Sequence, residues 1–206
     1  MRRVNDDPMV QNMEETWLDQ ALRGDAEGFL HIVDAYQRAV YNLCYRMLGN
    51  VEDAEDAAQE TFMRAYHNLK KYDRSRSFAT WLLSIAAHYC IDQIRKRRMQ
   101  FVSLDDLPNI QIPDGTPAPE SLISKREEQI RVQAILKTLS PLDRAAVVMY
   151  YWYDFSYEEI AQSLSLTVSA VKSRLHRARR DMAEEWQHQY PSSGQVERKG
   201  YESPVF

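Results

Sequence analysis

Between residues 70 and 81 the chain reads KKYDRSRSFATW, in which Lys70, Lys71, Arg74 and Arg76 interleave with the rings of Tyr72, Phe78 and Trp81. Cations that track a phosphate chain, alternating with flat rings on which unpaired bases stack, are the chemistry of single-strand nucleic-acid binding. Phe78 and Trp81 also stand at a helical spacing that would bury them in a core, and both readings remain open on the sequence. A second cationic run, Arg95, Lys96, Arg97 and Arg98, directly follows the apolar stretch FATWLLSIAAHYCIDQI. Four cations there read either as phosphate contacts or as a helix end stabilised by its own dipole.

The sharpest local pattern lies further on, in FSYEEIAQSLSLTVSAVKSRLHRARRDMAEEW. Ser156 followed three residues later by Glu159 is a capping box and predicts a helix from Tyr157. Ile160, Ala161 and Leu164 give that helix an apolar stripe. After a short break, Val168, Val171, Leu175, Ala178 and Met182 carry a second helix, which Thr167 is placed to cap. Away from its stripe the second helix shows Lys172, Arg174, Arg177, Arg179 and Arg180. This spacing predicts a helix-turn-helix, with Ser169, Lys172 and Ser173 at base edges and the arginines on phosphates. The competing reading is an αα-hairpin with a solvated basic face.

A third pattern is acidic. In GNVEDAEDAAQETFMRAYHNL, Glu52, Asp53, Glu55, Asp56 and Glu60 lie along one predicted helix, while Ala54, Ala58, Phe62, Ala65 and Leu69 form its packing side. The helix dipole accounts for acids in the first turn but not for Glu60, so a surface for a partner protein is the alternative. No Ser-His-Asp arrangement, glycine-rich phosphate loop or Cys/His zinc spacing can be read, and a lone Glu185-Trp-Gln-His188 at the edge of the polar tail falls short of a di-iron bundle. The sequence therefore predicts no catalytic residues, no metal site and no cofactor.

These side chains need a scaffold. With 206 residues, 44% of them hydrophobic, the chain can build one large core or two small ones. Six glycines in all and apolar residues recurring at three and four predict an all-α fold. Consecutive helices are expected from Leu18 to about Arg98, broken at Leu48 to Asn50 and at Lys70 to Ser77. Four prolines within VSLDDLPNIQIPDGTPAPES mark a linker. The expected division is an N-terminal extension over 1–17, a helical domain over 18–100, a linker over 101–124, a second helical domain over 125–186 and a polar tail over 187–206. Cys44 and Cys90 fall in apolar helical patterns and read as buried thiols of a reducing compartment. No stretch has the length or apolar content of a signal peptide or membrane span, so a soluble cytoplasmic protein is expected. The net charge of −4 is unusual for a protein that grips duplex DNA unaided, so any such binding needs local patches and outside help.

Three segments in order, YNLCYRMLGNVEDAEDAAQETFMRAYHNL, FATWLLSIAAHYCIDQIRKRR and LSPLDRAAVVMYYWYDFSYEEIAQSLSLTVSAVKSRLHRARRDM, resemble the extracytoplasmic-function branch of the bacterial sigma-70 family over roughly residues 18 to 186. The resemblance implies two small helical domains, a sigma region-2 bundle and a region-4 helix-turn-helix, with core RNA polymerase and promoter DNA as partners. It implies that Asp53, Asp56, Gln59, Glu60 and Phe62 dock on polymerase. Minus-10 contact falls to Lys71, Tyr72, Arg74, Arg76, Phe78, Trp81, His88 and the Arg95–Arg98 run. Ser169, Lys172, Ser173, Arg174 and Arg177 would meet the minus-35 element. The linker, rich in acids, would run through the RNA exit channel, and an anti-sigma protein is an expected further partner. Two positions depart from the family's pattern: Ser165 where glycine is common in the turn, and His88 where many members carry Asn.

Overall fold

The computed structural model describes residues 8–101 and 120–189, and among them every regular element is helical. Eight helices follow in order: α1 (Pro8–Leu22), α2 (Ala26–Leu48), α3 (Val51–Asn68), α4 (Phe78–Phe101), α5 (Glu120–Thr138), α6 (Pro141–Tyr153), α7 (Tyr157–Ser163) and α8 (Val168–Gln189). A single 3-10 turn, Leu69–Lys71, leads out of α3. The linker and tail expected from the sequence lie largely outside the described residues. The divisions expected at 17/18 and 124/125 fall inside α1 and α5.

The first bundle is built around α2. Asp25 caps its start by accepting from the amide of Glu27 at 2.9 Å. At its end Gly49, with φ 73°, takes the left-handed conformation that a side chain resists, and its amide reaches Tyr45 O at 2.8 Å. Ile32, Tyr36, Val40, Leu43 and Met47 recur every three or four residues and are buried. Small residues face them, Ala54, Ala57 and Ala65 from α3 and Ala86 and Ala87 from α4, so the three helices approach closely. Each large apolar side chain buried here stabilises the fold by about 1.5–3 kcal/mol. Thr61, buried among them, donates to Ala57 O at 2.7 Å, which satisfies its hydroxyl. Helix α1 crosses α2 at Gly28, where a Cβ would come within 2.5 Å of Gln20 Cβ. Cys44 and Cys90 are buried free thiols, as expected.

The second unit begins properly at Ser140, which caps α6 by accepting from the amide of Asp143, with Pro141 preset for the first turn. The capping box at Ser156 and Glu159 forms in both directions, at 3.1 and 2.7 Å. Thr167 accepts from the amide of Ala170 at 3.1 Å and starts α8. Ile160, Ala161, Leu164, Val171, Leu175 and Ala178 are buried between α7 and α8, and Val168 and Met182 half-buried, as the stripe requires. In the turn between the helices Ser165 has φ 54°. The tight turn is therefore kept without glycine, with a side chain held in a region that favours its absence.

The two units pack on each other. Helix α6 lies against α2 and α4, α5 against α2, and α7 against α4. No helix among the described residues is long and apolar enough to cross a membrane.

Candidate nucleic-acid interface

Between the 3-10 turn and α4, Tyr72 to Ser77 form a loop closed on itself. Tyr72 is half-buried, and its hydroxyl donates to Arg76 O, tying one end of the loop to the other. Burial, with the Glu14 carboxylate nearby, pushes that phenol up to about 12, so it keeps its proton and remains a donor at neutral pH. Asp73 accepts from the amide of Ser75 at 3.0 Å and fixes the turn. Lys71, Arg74 and Arg76 are exposed. Each already has a protein partner: Lys71 reaches Asn68 Oδ1 at 3.1 Å, Arg74 pairs with Asp19 of α1, and Arg76 lies 3.5 Å from Asp73.

One expectation is corrected here. Phe78 is 1% exposed, seated edge-on against Tyr36 and Tyr72 with ring centres 5.5 and 5.3 Å away. Its face is spent on the core and offers nothing to a base. It braces instead Tyr72 and Trp81, which lie 5.2 Å apart, are half-buried, and turn part of their surface outward. The structure thus assigns Phe78 to the core and leaves Trp81 at the boundary between core and solvent.

Helix α4 carries the remaining cations from this loop to its C-terminus. His88 is exposed, with a ring nitrogen 2.8 Å from Ser84 O. Arg95, Lys96, Arg97 and Arg98 are all exposed. Arg97 is engaged: its guanidinium donates twice to the carboxylate of Asp53 on α3, at 2.6 and 2.5 Å. That carboxylate raises the affinity of Arg97 for its proton further.

The acidic helix presents two sides. Asp53 and Glu60 lie toward α4, Asp53 held by Arg97 and Glu60 by Arg64 at 2.7 Å; the Arg64 guanidinium in turn sits 4.7 Å over the ring of Tyr89. Asp56 is exposed. On the other side, Glu55, Ala58, Gln59 and Phe62 form one wall of a groove of about 630 Å³. The opposite wall comes from α2, through Val33, Asp34, Gln37, Arg38 and Tyr41. The sequence expectation named Gln59 and Phe62 but none of the α2 wall. The available signal was a polar stripe at 34, 37, 38 and 41, but it reads as an ordinary solvated face until α3 is placed beside it.

In the helix-turn-helix, Ser169, Lys172, Ser173 and Arg177 are exposed along the N-terminal half of α8. Arg174 differs, being half-buried and paired with Asp143 of α6 at 2.8 Å. Lys172 Nζ lies 5.7 Å from the ring centre of Tyr157, itself stacked on Tyr150 at 5.5 Å. Arg179 donates to the Tyr151 hydroxyl at 3.0 Å, and its hydrogen bond to the Tyr157 hydroxyl draws that phenol below its ordinary range. Sequence periodicity singled out the cations of this cluster but not the three tyrosines, which come from α6 and α7. The result is a helix face with exposed cations, hydroxyls and one cation paired with a carboxylate, suited to a polyanion. Among the described residues no group of His, Cys, Asp and Glu has the arrangement to hold a metal ion.

Comparison with known proteins identifies two matched segments. Residues 32–99 match the family model for sigma-70 region 2, and residues 129–182 match that for sigma-70 region 4. The chain is 36% identical over 178 residues to the ECF RNA polymerase sigma factor SigW of Bacillus subtilis, covering 82% of this chain and 95% of that protein. It is 35% identical over 153 residues to the ECF RNA polymerase sigma factor SigE of Mycolicibacterium smegmatis, covering 73% of this chain and 58% of that longer protein. A solved structure of CnrH in complex with the cytosolic domain of CnrY shares the fold, with a TM-score of 0.64 at 24% identity, over 85% of this chain and 98% of that one.

Proposed function

This chain belongs to the sigma-70 family, and we propose that it acts as an extracytoplasmic-function sigma factor, directing core RNA polymerase to specific promoters and assisting DNA melting. The observation that carries this reading is the pairing, in one chain, of a region-2 match over the acidic and cation-aromatic helices with a region-4 match over the helix-turn-helix. A sigma factor binds and positions and needs no catalytic residues of its own, and its place of action is the cytoplasm.

In this reading, polymerase docks on α3 through Asp53, Asp56 and Glu60 and along the groove edge at Gln59 and Phe62. The loop around Tyr72, Arg74, Arg76 and Trp81, with Lys71, His88 and the cations at the end of α4, receives the minus-10 element. Stacking of unpaired bases on exposed ring surface would offset the cost of unstacking them. Ser169, Lys172, Ser173 and Arg177 meet the minus-35 element, with Arg174 held at its edge by Asp143. The division of labour accounts for a DNA reader with net charge −4: the core enzyme supplies most of the phosphate grip, and this chain supplies selectivity. Joining two weak DNA contacts at a distance set by polymerase makes promoter choice depend on both at once. An anti-sigma protein is a further proposed partner.

The deciding experiment is co-elution of the purified chain with bacterial core RNA polymerase, followed by run-off transcription on fragmented genomic DNA. Stable co-elution with discrete new transcripts is expected. A chain that elutes alone yet shifts duplex DNA would instead be a free-standing regulator.

A further inference from the structure

One face of α4 runs from Trp81 through Ser84, His88 and Asp92 to Arg95, residues three or four apart and therefore in line along the helix. At about 1.5 Å per residue, His88 stands about 10 Å along the axis from the half-buried Trp81 and the same distance from Arg95. A strand rising about 3.4 Å per nucleotide passes roughly three bases over that distance. His88 thus sits between a ring on which a base can stack and a cation that can hold a phosphate, at a place where a further base must pass.

The proton on the His88 ring is fixed by its neighbour. Nδ1 lies 2.8 Å from Ser84 O, one turn back along the helix. A carbonyl oxygen has no hydrogen to give, so Nδ1 carries the proton and donates it. In the neutral ring Nε2 is then a bare lone pair, and it is the nitrogen left for a partner outside the helix. Among the described residues the ring has no second hydrogen-bond partner and no carboxylate within ion-pair distance. Asp92, one turn further on, is exposed as well. Between Trp81 and Arg95 this face therefore turns two acceptors outward, where the ends of the same stripe offer a ring and a cation.

An acceptor has nothing to offer a phosphate, whose oxygens are acceptors too, and the donors of DNA belong to its bases. On the edge that faces the major groove these donors are the N6 amine of adenine and the N4 amine of cytosine, whereas guanine and thymine present the oxygens O6 and O4 there. We infer that His88 is a specificity-determining residue, which accepts through Nε2 from the exocyclic amine of an adenine or cytosine in the minus-10 element and rejects guanine and thymine at that position. A keto oxygen there would face the Nε2 lone pair and leave two acceptors unpaired, which is costlier than the loss of one hydrogen bond. The inference rests on the sigma-factor reading for the element that is bound, while the position of the ring proton is independent of it. His88 differs in kind from Lys71, Arg95 and Arg98, whose charge suits any phosphate whatever the sequence.

The test uses the full chain with core polymerase at pH 8, above the range in which imidazole takes up its proton. A promoter recovered from fragmented genomic DNA is randomised through its minus-10 element, and the transcribed sequences are counted for the wild type, His88→Ala and His88→Lys. At one position the wild type should favour adenine or cytosine over guanine and thymine roughly fivefold, the factor that one net hydrogen bond corresponds to. His88→Ala should lose that preference. His88→Lys, which places a group that can only donate, should reverse it toward guanine or thymine, a change that a merely structural role would not produce. The same base preference in all three proteins overturns the inference. Long-range proton–nitrogen correlation on the free chain, with His88→Ala to assign the signal, should find the proton of His88 on Nδ1. A proton on Nε2 overturns the inference as well, because the outward group would then be a donor. If the wild type gives no core-dependent transcript, the functional reading fails and the base contact with it, while the nitrogen spectrum still decides which face the ring turns outward.

Discussion

Arg97 and Asp53 join the helix assigned to promoter DNA to the helix assigned to polymerase, by two hydrogen bonds of 2.6 and 2.5 Å. The pair is partly exposed, 45% for Arg97 and 24% for Asp53, so water screens it and its contribution to stability is small. Its importance is positional: it sets the end of α4 against the start of α3. Arg97→Ala should therefore cost less than about 1 kcal/mol in urea unfolding. Affinity for core polymerase should stay near the wild-type value, while formation of the melted promoter complex falls.

Asp56 is exposed and Glu60 half-buried beside Arg64, on the helix that the proposed function gives to polymerase. Reversing both to Lys should change stability by less than about 1 kcal/mol, from a lost Arg64 pair and new like-charge repulsion along α3. Co-elution with core polymerase should be abolished. A variant that still co-elutes would move the docking surface off α3.

Arg174 and Arg177 look equivalent in the sequence and should behave differently. Arg177→Ala should weaken duplex binding at every sequence and flatten its salt slope by about one, with an unchanged melting temperature. Arg174→Ala leaves Asp143 without its partner between α6 and α8, and should also destabilise the protein by about 1 kcal/mol. Thermal melting beside a salt titration of DNA affinity separates the two.

Ser165 holds φ 54° in the turn of the helix-turn-helix. Glycine there relieves a left-handed conformation that costs an L-residue about 1–2 kcal/mol, against the greater entropy glycine has when unfolded. Ser165→Gly should raise the melting temperature by about 1–4 °C. A lowered melting temperature would mean that the serine hydroxyl stabilises the turn.

The Arg74 guanidinium beside Asp19 holds that carboxyl below its ordinary range. A depressed carboxylate contributes stability above its unfolded value and loses it as pH falls through its folded value. The link between α1 and the Tyr72 loop should accordingly weaken as pH drops below about 4. Asp19→Asn should flatten the acid limb of a melting-temperature profile and leave the curve above pH 6 parallel to that of the wild type.

Local chemistry was legible in the sequence wherever one element decides it. Ser156 and Glu159, or Thr167 and Ala170, are three residues apart, so their caps follow from spacing alone. Positions whose role depends on a remote neighbour were not. Phe78 has the spacing of a core residue and the setting of a base-stacking one, and only Tyr36, 42 residues away on α2, settles that it is buried. Helix α1 likewise begins at Pro8, ahead of where apolar periodicity becomes clear, and packs on α2 where Trp17, Gln20 and Ala21 meet Gly28. The α2 wall of the groove and the contact between the units are products of packing, and no periodicity within either helix encodes them.

Arg144 completes the fold from 97 positions away, its guanidinium donating to Met47 O near the end of α2 and to Lys137 O within its own unit. A ribosome adding about 5–20 residues per second needs on the order of 5–20 s to make that stretch. For those seconds the first bundle stands in the nascent chain without its partner, its last α2 carbonyls solvated, and it must fold on the strength of its own core. Every new molecule thus begins with the acidic face of α3 and the cations of α4 in place before α5 to α8 exist. A partner present during synthesis meets the first bundle before the second unit has packed on α2.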